Sequence, residues 1–129
     1  MKMGILKRKG KDKMSNDAEH FDSFIGQSTR IFGRMEIHAS IRIDGKVQGD
    51  LETPPHSNIT IAIGKSGDIS GDIKANRVLI AGTVLGNIYA AEHVELAKTA
   101  NVKGDISFRS IRVEHGANVE GHLIKKPGK

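Results

Sequence analysis

Six histidines, a recurring carboxylate and one lysine–serine turn are the side chains in this sequence that could do chemistry. The histidines stand at His20, His38, His56, His93, His115 and His122. No two have the spacing of a metal-binding pair, and there is no His-Glu-x-x-His that would set two ligands on one helical face. Asp50, Asp72, Asn87 and Asp105 each follow a glycine. Carboxylates stacked about 5 Å apart invite a calcium reading, but calcium-binding β-repeats are about nine residues long, with several glycines each. The period here is nearly double, Asn87 interrupts the series, and Arg34 and His122 stand at its two ends. Solvated turn residues are the expected role. Gly64-Lys65-Ser66-Gly67 looks like the end of a phosphate loop, yet it lacks the preceding glycine at the right distance and no helix follows, so a strand-to-strand turn is expected. No nucleophile elbow is present. The sequence is therefore read as a non-enzyme, with no catalytic residue, cofactor or metal site.

The elements that hold these side chains come from a repeat. Val102-Lys103-Gly104-Asp105-Ile106 recurs as Val47–Leu51, Ile69–Ile73 and Val84–Ile88, with looser copies at Ile31–Met35 and Val119–Leu123. The central glycines fall at 33, 49, 71, 86, 104 and 121, giving gaps of 16, 22, 15, 18 and 17. Self-similarity at this period marks a repeat architecture. Between the glycine units lie Ile41–Ile43, Ile61–Ile63, Val78–Ile80, Val94–Leu96 and Ile111–Val113, each with a branched aliphatic or leucine at its first and third residue, and three of them with a charged residue between. That alternation is the strand signal. Two strand pieces per turn are expected. The distance from the last aliphatic of the first piece to the glycine is 6, 8, 6, 8 and 8 residues, so inward parity is kept and the corners absorb the difference. Glycine at an inward position once per turn reads as a corner or a close backbone approach. Thr53-Pro54-Pro55-His56-Ser57-Asn58 lies inside the longest gap and reads as a bulging loop, because proline cannot donate to a ladder. Stacked turns make a parallel β-solenoid of about six turns.

Composition and charge agree with a narrow aliphatic interior. The chain has 129 residues, aromatics at 4%, no tryptophan and no cysteine. The absence of cysteine removes disulfides and fits a reducing compartment. No apolar run reaches the roughly 20 residues of a membrane span, and no secretory signal is evident, so a cytoplasmic protein is expected. Residues 1–13 carry six Lys/Arg and one Asp, a net +5, and residues 14–29 carry Asp17, Glu19 and Asp22, a net −3. Residues 30–124 hold 11 basic and 11 acidic residues and are neutral. Three domains follow: a disordered basic leader at 1–29, the β-helix at 30–124 and a short basic tail at 125–129. In the leader, Met3, Ile5 and Leu6 could enter a lipid interface while Lys7, Arg8 and Lys9 meet anionic head groups, each cation contributing about 1 kcal/mol. An ordinary solvated tail is the alternative. Nucleic acid is not an expected partner.

No capping helix is expected at either end of the repeat, so the first and last turns present open edges, which are templates for pairing with another chain. The Gly-Asp-Ile and Gly-Asn-Ile turns, the small solenoid and the two short tails resemble the bactofilin family over roughly residues 30–124. The resemblance implies an all-β, single-domain, right-handed parallel β-helix. It further implies polymerisation head-to-head and tail-to-tail into non-polar filaments without nucleotide, and a bacterial cytoskeletal scaffold supporting cell-shape or cell-wall organisation. Peripheral attachment to the cytoplasmic face of the inner membrane through the N-terminal peptide, and recruitment of cell-wall enzymes, are implied in the same way. End-turn aromatic and aliphatic residues form the subunit contact in that family. Here the matching positions are Ile31 and Phe32 at one end and Phe108 and Leu123 at the other. The alternative from another class is a left-handed β-helix acyltransferase of the hexapeptide type. It requires a strict six-residue step, which the observed gaps do not follow.

Overall fold

The computed structural model describes residues 21–127, and every regular element among them is a strand. The strands wind into six rungs with three faces each. Rung one holds β1 (Ser23–Ile25), β2 (Arg30–Phe32) and β3 (Met35–Glu36). Rung two holds β4 (Ile41–Ile43), β5 (Lys46–Gln48) and β6 (Leu51–Glu52). Rung three starts with β7 (Thr60–Ile63) and β8 (Asp68–Ser70), and the long β9 (Ile73–Ile80) closes it and opens rung four. Then come β10 (Thr83–Leu85) and the long β11 (Ile88–Leu96), which closes rung four and opens rung five. Rung five continues with β12 (Asn101–Lys103) and β13 (Ile106–Phe108). Rung six holds β14 (Ser110–Val113), β15 (Asn118–Glu120) and β16 (Leu123–Lys125). The winding begins at Ser23, earlier than the boundary expected at residue 30.

All pairing is parallel and joins each rung to the next. The second face is a six-stranded sheet in the order β15–β12–β10–β8–β5–β2. The first and third faces merge into a ten-stranded sheet because β9 and β11 run through the corner between them. Six rungs at about 4.8 Å make a rod on the order of 28 Å long. No helix among the described residues is long and apolar enough to cross a membrane.

Two corner designs explain the sequence pattern. Between the first and second faces the connection is either two residues (44–45, 81–82) or four (26–29, 64–67, 97–100, 114–117). The longer version closes a turn, as where the Gly67 amide donates to the Gly64 carbonyl at 2.8 Å and the Ala100 amide to the Ala97 carbonyl at 2.9 Å. This is how the two-residue variation is absorbed without loss of inward parity. Between the second and third faces the corner is always glycine. Gly86 has φ +154°, and a Cβ built there would collide with the Gly71 carbonyl oxygen one rung below. Gly104 repeats this against Gly86. Left-handed backbone and close stacking both demand a residue without a side chain.

The glycine corner also corrects the expected count of strand pieces. Each Gly-centred unit is bent in the middle, so Val102 lies on the second face and Ile106 starts the third. The residue after the glycine is not merely a solvated turn residue. Asp50 Oδ1 accepts the Asp72 amide at 2.9 Å, Asp72 Oδ1 the Asn87 amide at 2.9 Å, Asn87 Oδ1 the Asp105 amide at 2.8 Å, and Asp105 Oδ1 the His122 amide at 2.9 Å. A side-chain oxygen thus completes the ladder where the backbone turns. Asn87 fits because its Oδ1 accepts as a carboxylate would.

The interior is filled by columns of aliphatics in register. Val47, Ile69, Val84 and Val102 form one column, and Leu51, Ile73, Ile88 and Ile106 another, all fully buried. The corner ladder predicts a clean contrast. Asp72→Ala removes the acceptor for the Asn87 amide and lowers stability by about 1 kcal/mol, whereas Asp72→Asn keeps Oδ1 and changes it far less. Urea denaturation of the two variants beside the parent chain measures the difference.

Candidate functional site

The inward columns change character at the rod's ends. Ile43, Ile63, Ile80 and Leu96 are buried in one column, but its last member, Val113, is exposed. Ile106 is 0% exposed and its successor Leu123 is 50% exposed. Ile111, Ala117 and Val119 are partly buried in the same terminal rung. At the other end Ile25, Ile31 and Met35 pack against the core from rung one and stay partly exposed among the described residues. The composition of these positions matches the buried rungs; what differs is that no further described rung covers them. Each end therefore combines half-covered aliphatics with a strand edge whose amides and carbonyls pair on one side, as in β1 with β4 and β16 with β13.

The expected contact residues are not equivalent in this setting. Ile31 points inward on rung one opposite Val47. Phe32 is its outward neighbour and stands exposed on the side of the rod. Leu123 lies on the terminal rung. Phe108 is 7% exposed and sits in rung five, with its carbonyl accepting the Lys126 amide at 2.7 Å. Its own chain covers it. Reading by columns brings forward Val113, which the sequence analysis passed over. The signal was present: Val113 is the last member of the Ile43–Ile63–Ile80–Leu96 series and has no successor. Phe24, on rung one, is exposed as well. Met3, Ile5, Leu6, Lys7, Arg8 and Lys9 lie outside the described residues.

Polar groups near the last rung tie it to the one before. His93 Nδ1 lies 2.6 Å from Ser110 Oγ, and His93 Nε2 lies 3.3 Å from Glu95 Oε2, which also faces Arg112 at 3.7 Å. At the glycine corner the His122 amide and ring meet Asp105, holding its carboxyl below the usual aspartate range, mainly through the amide bond. No group of three His, Cys, Asp or Glu among the described residues could hold a metal ion. Gly64–Gly67 is a corner between β7 and β8, with Ser66 Oγ donating to the Asp44 carbonyl at 2.8 Å.

The two C-terminal positions are separable by stability alone. Phe108→Arg places a charge within the core and costs about 4 kcal/mol, while Leu123→Arg stays within about 1 kcal/mol of the parent. Thermal melts followed by circular dichroism distinguish them.

Comparison with known proteins agrees with this architecture. Residues 23–124 match the bactofilin family, described as polymer-forming cytoskeletal. The chain is 32% identical to bactofilin BacO of Myxococcus xanthus (strain DK1622), over 74% of this chain and 82% of BacO. It is 28% identical to bactofilin BacP of the same organism, over 79% of this chain and 41% of BacP, so it spans about two fifths of that relative's length. No solved structure is a significant match.

Proposed function

The chain belongs to the bactofilin family, a polymer-forming cytoskeletal family, and from that premise we propose that it is a non-enzymatic scaffold subunit whose copies join end to end. The observation that carries the reading is the jump in exposure within single columns, from Ile106 to Leu123 and from Leu96 to Val113. A second copy placed on the terminal rung would cover these side chains and pair the open edge.

Magnitudes say what such a contact needs. Covering four half-exposed large aliphatics (Ile111, Val113, Val119 and Leu123) contributes on the order of 4 kcal/mol. Association costs an estimated 4–15 kcal/mol or so in lost freedom. Side-chain burial alone leaves little surplus, so edge hydrogen bonds across all three faces have to complete the contact. Both contributions come from the polypeptide itself, and assembly by this route requires no nucleotide.

The corner ladder favours like ends meeting. In four of the five internal steps an amide donates to the Oδ1 of the residue one rung back, the exception being the first step, where Arg34 has no such oxygen. If rods stacked head-to-tail in continuous register, the Arg34 amide would look for that oxygen at His122, which has none. Head-to-head and tail-to-tail joints avoid this mismatch and let the end strands pair antiparallel, slightly the more stable arrangement per residue. The resulting filament is non-polar.

The basic leader then supplies attachment. Cations of residues 7–9 with Met3, Ile5 and Leu6 bind anionic lipid weakly in one copy and strongly in a filament that displays many. This places the filament peripherally on the cytoplasmic face of the inner membrane, organising cell shape or the cell wall, with cell-wall enzymes as recruited partners.

Assembly is tested by Val113→Arg with Leu123→Arg in one chain. Each charge lies on the terminal rung, so the subunit folds but sediments as single rods or as pairs joined through the other end. Filaments of unchanged length by electron microscopy would remove that end from the contact. Lipid attachment is tested by changing Lys7, Arg8 and Lys9 to glutamate. Co-sedimentation with anionic vesicles should fall by about ten-fold or more while filaments persist. Unchanged binding would show that the leader is not the anchor.

A further inference from the structure

The connection at 53–59 builds a wall along the third face. It leaves that face after Glu52 and rejoins the winding at Thr60. Hydrogen bonds fasten it. Thr53 Oγ1 donates to the Lys74 carbonyl at 3.3 Å, Ser57 Oγ to the Pro54 carbonyl at 2.6 Å, and Asn76 Nδ2 to Asn58 Oδ1 at 2.7 Å. Between this wall and the outward side of the third face lies an open cleft of about 720 Å³. Its lining comes from successive rungs: Lys74 from rung three, Tyr89 and Ala91 from rung four, Arg109 from the corner after rung five, and Lys126 from the end of rung six. From the wall at rung two to Lys126 the cleft follows the rod axis over four steps, about 19 Å, and so crosses the strands.

Two kinds of surface meet in it. Pro54, Pro55, Ala91 and the ring of Tyr89 are apolar. The charges do not cancel in place. Glu52 is met by Arg34 at 3.5 Å and Glu92 by Arg109 at 3.3 Å, whereas Lys74 and Lys126 have no carboxylate partner among the described residues. These two ammonium groups stand three rungs apart, about 14 Å along the axis, which is the reach of about four extended residues. In an extended chain, side chains four residues apart also point the same way.

We propose that this cleft binds an extended acidic peptide of a partner protein. Two carboxylates about four residues apart meet Lys74 and Lys126, and the apolar side chains between them lie on Tyr89 and the Pro54–Pro55 wall. The strands beneath are already paired on both sides, Ile73 with Leu51 and Ile88, and Ile88 in turn with Ile106. The peptide therefore adds no strand and is held through its side chains. A nucleic-acid backbone would have to pass Glu52 and Glu92 in the same lining, and a bilayer surface is too flat to enter a walled cleft. The inference holds for a single subunit and does not rest on the scaffold reading.

The probe is the dye-labelled peptide Glu-Leu-Pro-Leu-Glu, followed by fluorescence anisotropy against the full chain. It should bind about ten-fold or more tightly than Lys-Leu-Pro-Leu-Lys, and more tightly than Glu-Glu-Leu-Pro-Leu, which has the same charge at the wrong spacing. Lys74→Glu with Lys126→Glu should weaken binding by about ten-fold or more. Lys98→Glu with Lys103→Glu makes the same change of charge on exposed side chains outside the cleft, and should leave binding within about two-fold. Tyr89→Ala, which alters no charge, should also weaken it. The chain has no cysteine, so Ala91→Cys carrying a benzophenone maleimide sets one photo-cross-linker in the cleft, and light should join it to the peptide. Absence of binding, equal loss in the two lysine pairs, or indifference to carboxylate spacing would each overturn the proposal. So would cross-links that run only to a second copy or within the same chain, since the cleft would then belong to the protein itself. None of these readouts depends on filaments or lipid, so failure here is distinct from failure of the scaffold reading.

Discussion

The molecule depends on one close contact repeated along its length: the stacking of a glycine corner on the carbonyl of the glycine corner below. Gly86 rests on Gly71 and Gly104 rests on Gly86, at separations that leave no room for a side chain. The contact is mutual, because each corner is both the obstacle to its successor and the neighbour hindered by its predecessor. A bend this tight would strand the amide of the following residue, and the Asp or Asn oxygen from the adjacent rung accepts it. Corner and ladder thus solve one problem together. Glycine permits the approach, and the next side chain restores the hydrogen bond that the bend removes.

This explains which parts of the repeat are strict and which drift. Each rung touches chiefly its two neighbours, so the stack is quasi-one-dimensional and a local insertion stays local. The first-to-second corner can hold two residues or four because it needs only to return the chain with unchanged parity. The Pro54–Pro55 loop hangs off the third-to-first corner for the same reason, and lateral stacking resumes at Thr60, whose amide donates to Ser40 Oγ at 3.0 Å. The second-to-third corner has no such latitude.

Much of this was legible in the residues, and the misses have physical causes. Alternation around Val102 and Ile106 showed which side chains turn inward, and the glycine positions showed one corner per turn. Periodicity does not reveal that the strand bends through the glycine, since parity is the same for a straight strand as for one folded between two faces. The third face was therefore hidden inside units that looked continuous. The Asp72 and Asn87 oxygens bond to amides one rung away, at 15 and 18 residues' separation, and no local turn chemistry predicts that. At the ends, Phe108 was singled out because it matches an end-turn contact position of the resembled family. That match says nothing about whether the residue's own chain covers it. What decides exposure is whether a column has another member beyond it, and Phe108 has Lys125 while Val113 and Leu123 have no described successor.

A rod of this kind has two unlike surfaces, and they are suited to different work. The ends are the rungs with no described rung beyond them, and under the scaffold reading another solenoid end would supply both the aliphatic cover and the strand edge. The sides already have their backbone bonds made, so recognition there falls to outward rows of side chains such as Arg42, Ala62, Leu79 and Glu95. A row holding two apolar members between charged ones cannot extend the ladder. Under the scaffold reading, growth along the axis would draw on the end strands, and any attachment from the flank on side chains that the winding leaves outside. A substitution in an outward row leaves the stack intact, while one in a glycine corner disturbs both neighbours at once.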